Sequence, residues 1–206
     1  MSNDYLIKIY MVTYNSPASV ANNLESLFKS KHIYTNIKLQ INIINNHPNF
    51  HIPPEYEKSV TVLQNWHVRS ENSCGHLARD WNTALIKGFG NLINPECQQV
   101  IGVHDDVIWH EDWMEKLINI HHTKGYTLYM GDFGCSFVSY LPEAVRKIGL
   151  WDERFCNIGY HEADYMLRAR IHNPDKSTIN DHIQERVWNP TEVFPVELIV
   201  KFLLDS

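Results

Sequence analysis

The sequence predicts one α/β domain, an open sheet flanked by helices, and two observations carry that expectation. Runs of β-forming residues alternate along the chain with apolar residues at helical spacing, the order that builds βαβ units. Three of those runs break off into polar side chains, and ligands of open α/β sheets bind at the carboxyl ends of the strands. At 206 residues the chain is long enough to bury roughly two thirds of its unfolded surface in a single core region.

The first run, Tyr5 to Val12, is rich in β-formers and stops at Thr13-Tyr14-Asn15-Ser16-Pro17. Ser16 suits a helix cap and Pro17 the first helical position, after which Val20, Leu24, Leu27 and Phe28 recur at helical spacing. A second strand runs from Ile37 to Ile44 and ends in Asn45-Asn46-His47-Pro48; its alternating polar positions predict a less buried place in the sheet. Pro53-Pro54 makes 51–59 a loop, followed by a short strand from Ser59 to Leu63. Asn72-Ser73-Cys74-Gly75 turns into a helix from His76 to Lys87 that Gly88 and Gly90 end, with Leu77, Trp81, Leu85 and Ile86 on its core face. Arg79, Asp80 and Asn82 fall near its start, on the side expected to look toward the first strand's loop. Arg79 there suits either a diphosphate or an ion pair with a carboxylate.

The centre of the chain is Val100-Ile101-Gly102-Val103-His104-Asp105-Asp106-Val107-Ile108-Trp109, an apolar run that breaks directly into two adjacent carboxylates. The run reads as a strand buried on both faces. Two ionised carboxylates at its end repel each other and lose solvation unless a cation or hydrogen-bond donors compensate. A divalent metal carrying phosphate oxygens does both; the plainer reading is that Asp105 and Asp106 cap the helix that follows. That helix opens at His110-Glu111-Asp112 and carries Trp113, Leu117 and Ile120 as its core stripe.

A strand over 131–140 and a helix from Leu141, with Pro142 at an early position and Gly149 closing it, lead to a second chemical cluster. This is Trp151-Asp152-Glu153-Arg154-Phe155, then Gly159-Tyr160-His161-Glu162-Ala163-Asp164-Tyr165-Met166-Leu167-Arg168. Glu162 and Asp164 read as the start of a helix, where the positive end of the dipole favours carboxylates, and Asp164 pairs with Arg168 one turn on, leaving Glu162 freer to accept a proton. Ordinary acidic first-turn residues fit that pattern equally well. Trp109, Trp151 and Tyr160 suit stacking on sugar rings, and suit filling core and rim at least as well.

In order, the Thr-Tyr-Asn strand end, the Asn-Asn strand end, the strand-terminal Asp-Asp-Val and the Gly-Leu-Trp-Asp-Glu-Arg-Phe segment resemble inverting nucleotide-sugar glycosyltransferases of the GT-A fold. The Glu-x-Asp-x-x-x-Arg that follows completes a likeness extending from residue 5 to about residue 170, closest to glycosyltransferase family 2 and shared in part with β-1,4-galactosyltransferases. It also suits one domain of a longer viral or bacterial sugar-transfer protein. The resemblance implies a Rossmann-like mixed sheet flanked by helices, with a nucleotide-binding half over 1–106, an acceptor and catalytic half over 107–190 and a carboxyl-terminal helix over 191–206.

The resemblance also implies roles. Thr13, Tyr14 and Asn15 lie beside the base and ribose, and Asn45 stands where many members place an aspartate against the uracil ring. Arg79, by its place on the helix and not by the resemblance, is the candidate diphosphate contact, with the ion pair as its alternative. The Asp-x-Asp metal motif is met as His104-Asp105-Asp106, with His for the first Asp; Asp106 is the metal ligand and Asp105 lies near the ribose or the metal. Glu162 matches the catalytic base, Asp164 is its alternative, and His182 matches a further metal ligand. The implied cofactor is Mn²⁺ or Mg²⁺, and the implied partners are a UDP-sugar donor (UDP-glucose, UDP-galactose or UDP-rhamnose) and a glycan acceptor.

Composition narrows the alternatives. A formal charge of -6 argues against a nucleic-acid partner, which calls for a basic face. Cys74, Cys97, Cys135 and Cys156 form no CxxC pair, which fits free thiols in a reducing compartment. The apolar stretch from Val196 to Leu204 is interrupted by Glu197 and Lys201, so it reads as an amphipathic helix packed on the sheet rather than a membrane span. The expectation is a cytoplasmic protein, soluble or peripheral at a membrane surface. A sugar-phosphate nucleotidyltransferase is disfavoured because Thr13-Tyr14-Asn15-Ser16-Pro17 lacks a Gly-rich phosphate loop with a basic residue. A non-catalytic nucleotide- or carbohydrate-binding module stays open, and differs in leaving the donor intact.

Overall fold

The computed structural model describes residues 5–30, 36–65, 76–131, 134–155, 158–179 and 184–186. Its first half is a run of parallel βαβ connections. Strand β1 (Tyr5–Thr13) leads through helix α1 (Pro17–Lys29) to β2 (Ile37–Asn45), then β3 (Thr61–Gln64), helix α2 (His76–Phe89) and β4 (Gln99–His104). After the short β5 (Val107–Trp109) come α3 (Trp113–Ile118), a π-helical turn (Asn119–Thr123), β6 (Leu128–Gly131), β7 (Gly134–Tyr140), α4 (Pro142–Ile148), α5 (Ile158–His172), β8 (Ser177–Ile179) and β9 (Gln184–Arg186).

Seven strands form one mixed sheet in the order β3-β2-β1-β4-β7-β6-β8. β1 pairs in parallel with both β2 and β4, and β7 turns the sheet antiparallel by pairing with β4 and β6. Alternation then assigns the faces. Ile7, Ile9, Met11, Ile101 and Val103 meet the apolar stripes of α1 and α3, while Tyr10, Val100 and Val138 meet α2, α4 and α5. The sheet is covered on both sides, which is why its central strands read as nearly continuous apolar runs.

Two glycines serve close approach. A Cβ at Gly102 would lie 2.7 Å from the Trp81 ring, so the bare backbone of β4 is what lets that indole lie across the sheet. A Cβ at Gly88 would lie 2.4 Å from Val100 Cγ2, and Gly88 is therefore an interior packing residue of α2, not its stop. Gly90, at φ +62°, ends the helix by itself.

Several sequence expectations change. The run from Val100 to Trp109 is two strands, because the chain turns at Asp105-Asp106 and β5 leaves the main sheet to pair with β9. Strand β6 has no counterpart in the sequence reading. Ile86 is 57% exposed on the outer side of α2, and Phe28, at 44%, covers the core edge by stacking on Tyr56 at 5.7 Å. Ser16 caps α1 through its carbonyl, which accepts the Val20 N–H at 3.0 Å, and not through its side chain. Among the described residues no helix is long and apolar enough to cross a membrane; residues 191–206 lie outside them.

Candidate functional site

Parallel pairing sets the carboxyl ends of β1, β2 and β4 side by side: Thr13 is in register with Asn45, and Val12 with His104. The chain leaving β4 is held at once, the Asp105 N–H donating to the Val12 carbonyl at 3.2 Å and Asn23 Nδ2 to the His104 carbonyl at 3.0 Å. Thr13 Oγ1 then donates to Asp105 Oδ2 at 2.6 Å, so two predicted site residues from distant parts of the chain are in direct contact. Burial raises the Asp105 pKa to about 6; the Thr13 hydroxyl opposes that shift and the neighbouring Asp106 charge adds to it. Asp106 Oδ1 lies 4.0 Å from His104 Nδ1.

The helix-cap reading of this pair is overturned. β5 intervenes between Asp106 and α3, whose capping position is Asp112. The pairing of Val107 with Arg186 draws β9 alongside Asp106; His182 lies outside the described residues, as do Cys74 and Cys156.

On the β2 side, Tyr14 is 67% exposed and meets the His47 ring edge-on at 5.0 Å, while Asn15 takes a left-handed turn at φ 55°. Asn45 is buried and its amide closes the adjoining turn: Nδ2 donates to the His47 carbonyl at 2.9 Å and to Gln64 Oε1 at 2.7 Å, and Oδ1 accepts the His47 N–H at 2.9 Å. The buried Asp80 of α2 ties the strand ends together, accepting from Asn46 at 2.6 Å and from Asn65 at 2.5 Å. Composition gave Asp80 no such role; a carboxylate flanked by Arg79 and Trp81 reads as a surface ion pair until the fold buries it.

On the β7 side stands Glu162. It lies in the second turn of α5, since the helix begins at Ile158, so the dipole of a helix start is not what holds it. Its Oε1 accepts the backbone N–H of Cys135, at the head of β7, at 2.8 Å. Cys135 Sγ lies 4.0 Å from His104 Nε2 and 3.8 Å from His161 Nε2, so the end of β4, the head of β7 and α5 meet at one buried thiol. Burial, then the His104 charge, lowers the His161 pKa to about 4, which keeps that imidazole neutral. The His104 ring stacks on Trp81 at 5.6 Å and 10° between planes, fixing its orientation.

Asp164 faces away from Glu162 and pairs with Arg168 Nη2 at 2.6 Å, as the spacing predicts. Arg168 also donates to the Ile148 and Leu150 carbonyls at 2.8 and 2.9 Å, tying α5 to the end of α4. Arg79 Nε stands 3.5 Å from Glu153, and Asn82 exchanges hydrogen bonds with Trp151; both look toward the 151–153 loop and not toward β1. Trp151 and Trp109 are core residues, stacked on Tyr165 and packed against Trp113 respectively, whereas Tyr160 is 56% exposed. A groove of about 560 Å³ runs beside Trp151, Asp152, Arg154, Asp164 and Arg168. Among the described residues no group of three or more His, Cys, Asp or Glu side chains is arranged to hold a metal by itself.

This architecture, a parallel half and an antiparallel half joined in one mixed sheet flanked by helices, matches the GT-A glycosyltransferase fold. A mannosyltransferase from Pyrobaculum calidifontis, solved in complex with GDP-Man and Mn²⁺, is similar over 89% of this chain and 57% of its own, with a TM-score of 0.58 at 10% identity. Residues 1–349 of S. aureus TarS in complex with UDP-GlcNAc are similar over 92% of this chain and 61% of theirs, with a TM-score of 0.58 at 10% identity. The chain thus spans about three fifths of the length of these solved proteins. No protein-family model and no curated protein matches it.

Proposed function

We propose that this chain is a metal-dependent inverting glycosyltransferase, moving a sugar from a nucleotide-diphosphate donor to a hydroxyl of a glycan acceptor. The observation that carries this reading is the meeting of the Asp105-Asp106 turn with Glu162 through His104 and Cys135 at one end of the sheet. Uridine-linked sugars such as UDP-glucose, UDP-galactose and UDP-rhamnose are the donors to test first; the similar solved proteins bind UDP-GlcNAc in one case and GDP-Man in the other.

Thr13, Tyr14 and Asn15 then border the nucleoside, with Asn45 shaping its pocket by holding the His47 turn. Arg79, drawn toward Glu153, serves the diphosphate only by leaving that pair. Asp106 holds the cation, with Asp105 beside it. The donor set fits a hard divalent ion that takes few protein ligands and completes its shell with substrate phosphates, as Mg²⁺ and Mn²⁺ do. The elevated pKa of Asp105 points the same way, because a nearby cation would relieve the cost of ionising it. When bound, such an ion neutralises charge on the departing nucleotide. Glu162 accepts the proton of the acceptor hydroxyl as its oxygen attacks the anomeric carbon from the face opposite the leaving group. Asp164, engaged by Arg168, is the weaker candidate for that base.

The test is donor turnover across a panel of nucleotide sugars with Mn²⁺, with Mg²⁺ and with chelator. Metal-dependent cleavage of one donor, lost in Asp106→Ala, supports the reading; binding without cleavage of any donor identifies a binding module instead.

A further inference from the structure

Gly102 and His104 stand two residues apart on one face of β4. The Trp81 ring lies over the bare backbone of Gly102 and stacks on the His104 imidazole at 5.6 Å and 10° between planes, so packing sets the plane of that ring. Its two nitrogens then meet different surroundings. Nε2 lies 4.0 Å from the sulfur of the buried Cys135, and Nδ1 lies 4.0 Å from Asp106 Oδ1. The His104 and Asp106 side chains keep 21% and 33% of their surface exposed, whereas His121 and His161 are buried. The backbone beneath is pinned: Asn23 Nδ2 donates to the His104 carbonyl at 3.0 Å, and the Asp105 N–H to the Val12 carbonyl at 3.2 Å. A gap of 4.0 Å between Nδ1 and Oδ1 is too long for a hydrogen bond between them. One ion with bonds of about 2.1 Å spans it.

We infer that His104 Nδ1 is a ligand of the cation beside Asp106, so that a nitrogen–oxygen pair selects first-row transition ions such as Mn²⁺ and Co²⁺ over Mg²⁺. The inference rests on the reading of Asp106 as a cation ligand. Mg²⁺ keeps to oxygen ligands, whereas imidazole enters the shells of transition ions with an affinity that rises from Mn²⁺ to Co²⁺. With Nδ1 on the metal, the ring proton sits on Nε2, where the Cys135 sulfur is a weak acceptor beside it. Trp81 and Cys135 thereby fix the orientation of the ligand without touching the ion.

The experiment titrates the protein with Mn²⁺, alone and with UDP or GDP, follows binding by electron paramagnetic resonance and records the spin-echo modulation of the bound ion. The expected spectrum carries a nitrogen coupling that changes when the histidines are ¹⁵N-labelled. His104→Phe keeps a ring on Trp81 and removes both nitrogens; it is expected to abolish the coupling and to weaken Mn²⁺ binding by about tenfold or more, since even groups one shell out are worth that much. His104→Asp puts an oxygen donor in place of nitrogen and is expected to bring the Mn²⁺ and Mg²⁺ affinities together, with Mg²⁺ read by competition. The labelled parent protein decides the question even where a variant fails to fold, which melting temperatures reveal. Bound Mn²⁺ without histidine coupling, or a coupling that persists in His104→Phe, overturns the inference and leaves the cation reading of Asp106 standing. Absence of Mn²⁺ binding with either nucleotide overturns that reading and the inference with it.

Discussion

Among the described residues, the acidic cluster beside Trp151 and the one at the end of β4 have surroundings that differ in kind. In the cluster formed by Asp152, Glu153 and Asp164, each carboxylate meets an arginine: Arg154 at 2.6 Å, Arg79 at 3.5 Å and Arg168 at 2.6 Å. The Arg154 hydrogen bond holds the Asp152 carboxyl down at about 2. At the end of β4, Asp105 meets a neutral hydroxyl and another aspartate, and its pKa is about 6. The first cluster has its counter-charges built in and serves to tie α2, α4, α5 and the 151–154 loop together. In the second, Asp105 is held in place while its charge stays costly, a cost the proposed cation would relieve.

The contrast is broken or sharpened by substitutions on either side. The largest effect is expected at the point where the second cluster meets the proposed base: Glu162→Gln reduces transfer about 10²–10⁴-fold with nucleotide affinity kept. Equal loss of nucleotide affinity would place Glu162 in the donor site instead.

Next in size is Asp105→Asn. A folded-state pKa raised from 3.8 to about 6 means that stability from this group is present below 3.8 and is lost as pH rises through about 6. The asparagine variant therefore matches the parent protein near pH 3.8 and exceeds it above pH 6, by at most about 3 kcal/mol from two pKa units. The same variant loses metal-dependent donor binding, and denaturation at both pH values with and without Mn²⁺ checks the two halves together. Destabilisation at pH 7 would show that the charge is already compensated.

Arg168→Met moves the other way. It strips Asp164 and the Ile148 and Leu150 carbonyls of their donor, and a loss of about 2 kcal/mol in urea unfolding is expected. The smallest effect belongs to Arg154→Ala. Its side chain is 90% exposed, so the melting temperature should not move measurably at physiological salt, and any large change would mean that the Arg154–Asp152 pair is not screened by solvent.

Much of this is legible in the sequence. β1, β2 and β4 announced themselves as β-forming runs ending in polar residues, and the helix stops and starts at Pro17, Pro142 and Gly149 sit where their backbone preferences put them. The i to i+4 spacing of Asp164 and Arg168 is enough to predict their pairing. β6 escaped because all of its residues are buried, leaving no alternation to set it apart from the apolar helix before it. The partner of Glu162 escaped for a different reason: Cys135 is 27 residues away, and a backbone N–H carries no residue identity to read.

By itself the sequence determined the local elements, the polar strand ends and the pairing of adjacent carboxylates, because those depend on neighbours within a few residues. The tertiary structure decided which charges are compensated. Whether Asp105 titrates near 4 or near 6 depends on a threonine 92 residues away and on the sheet that buries both. Desolvation and charge act through space, and only the folded sheet sets those distances.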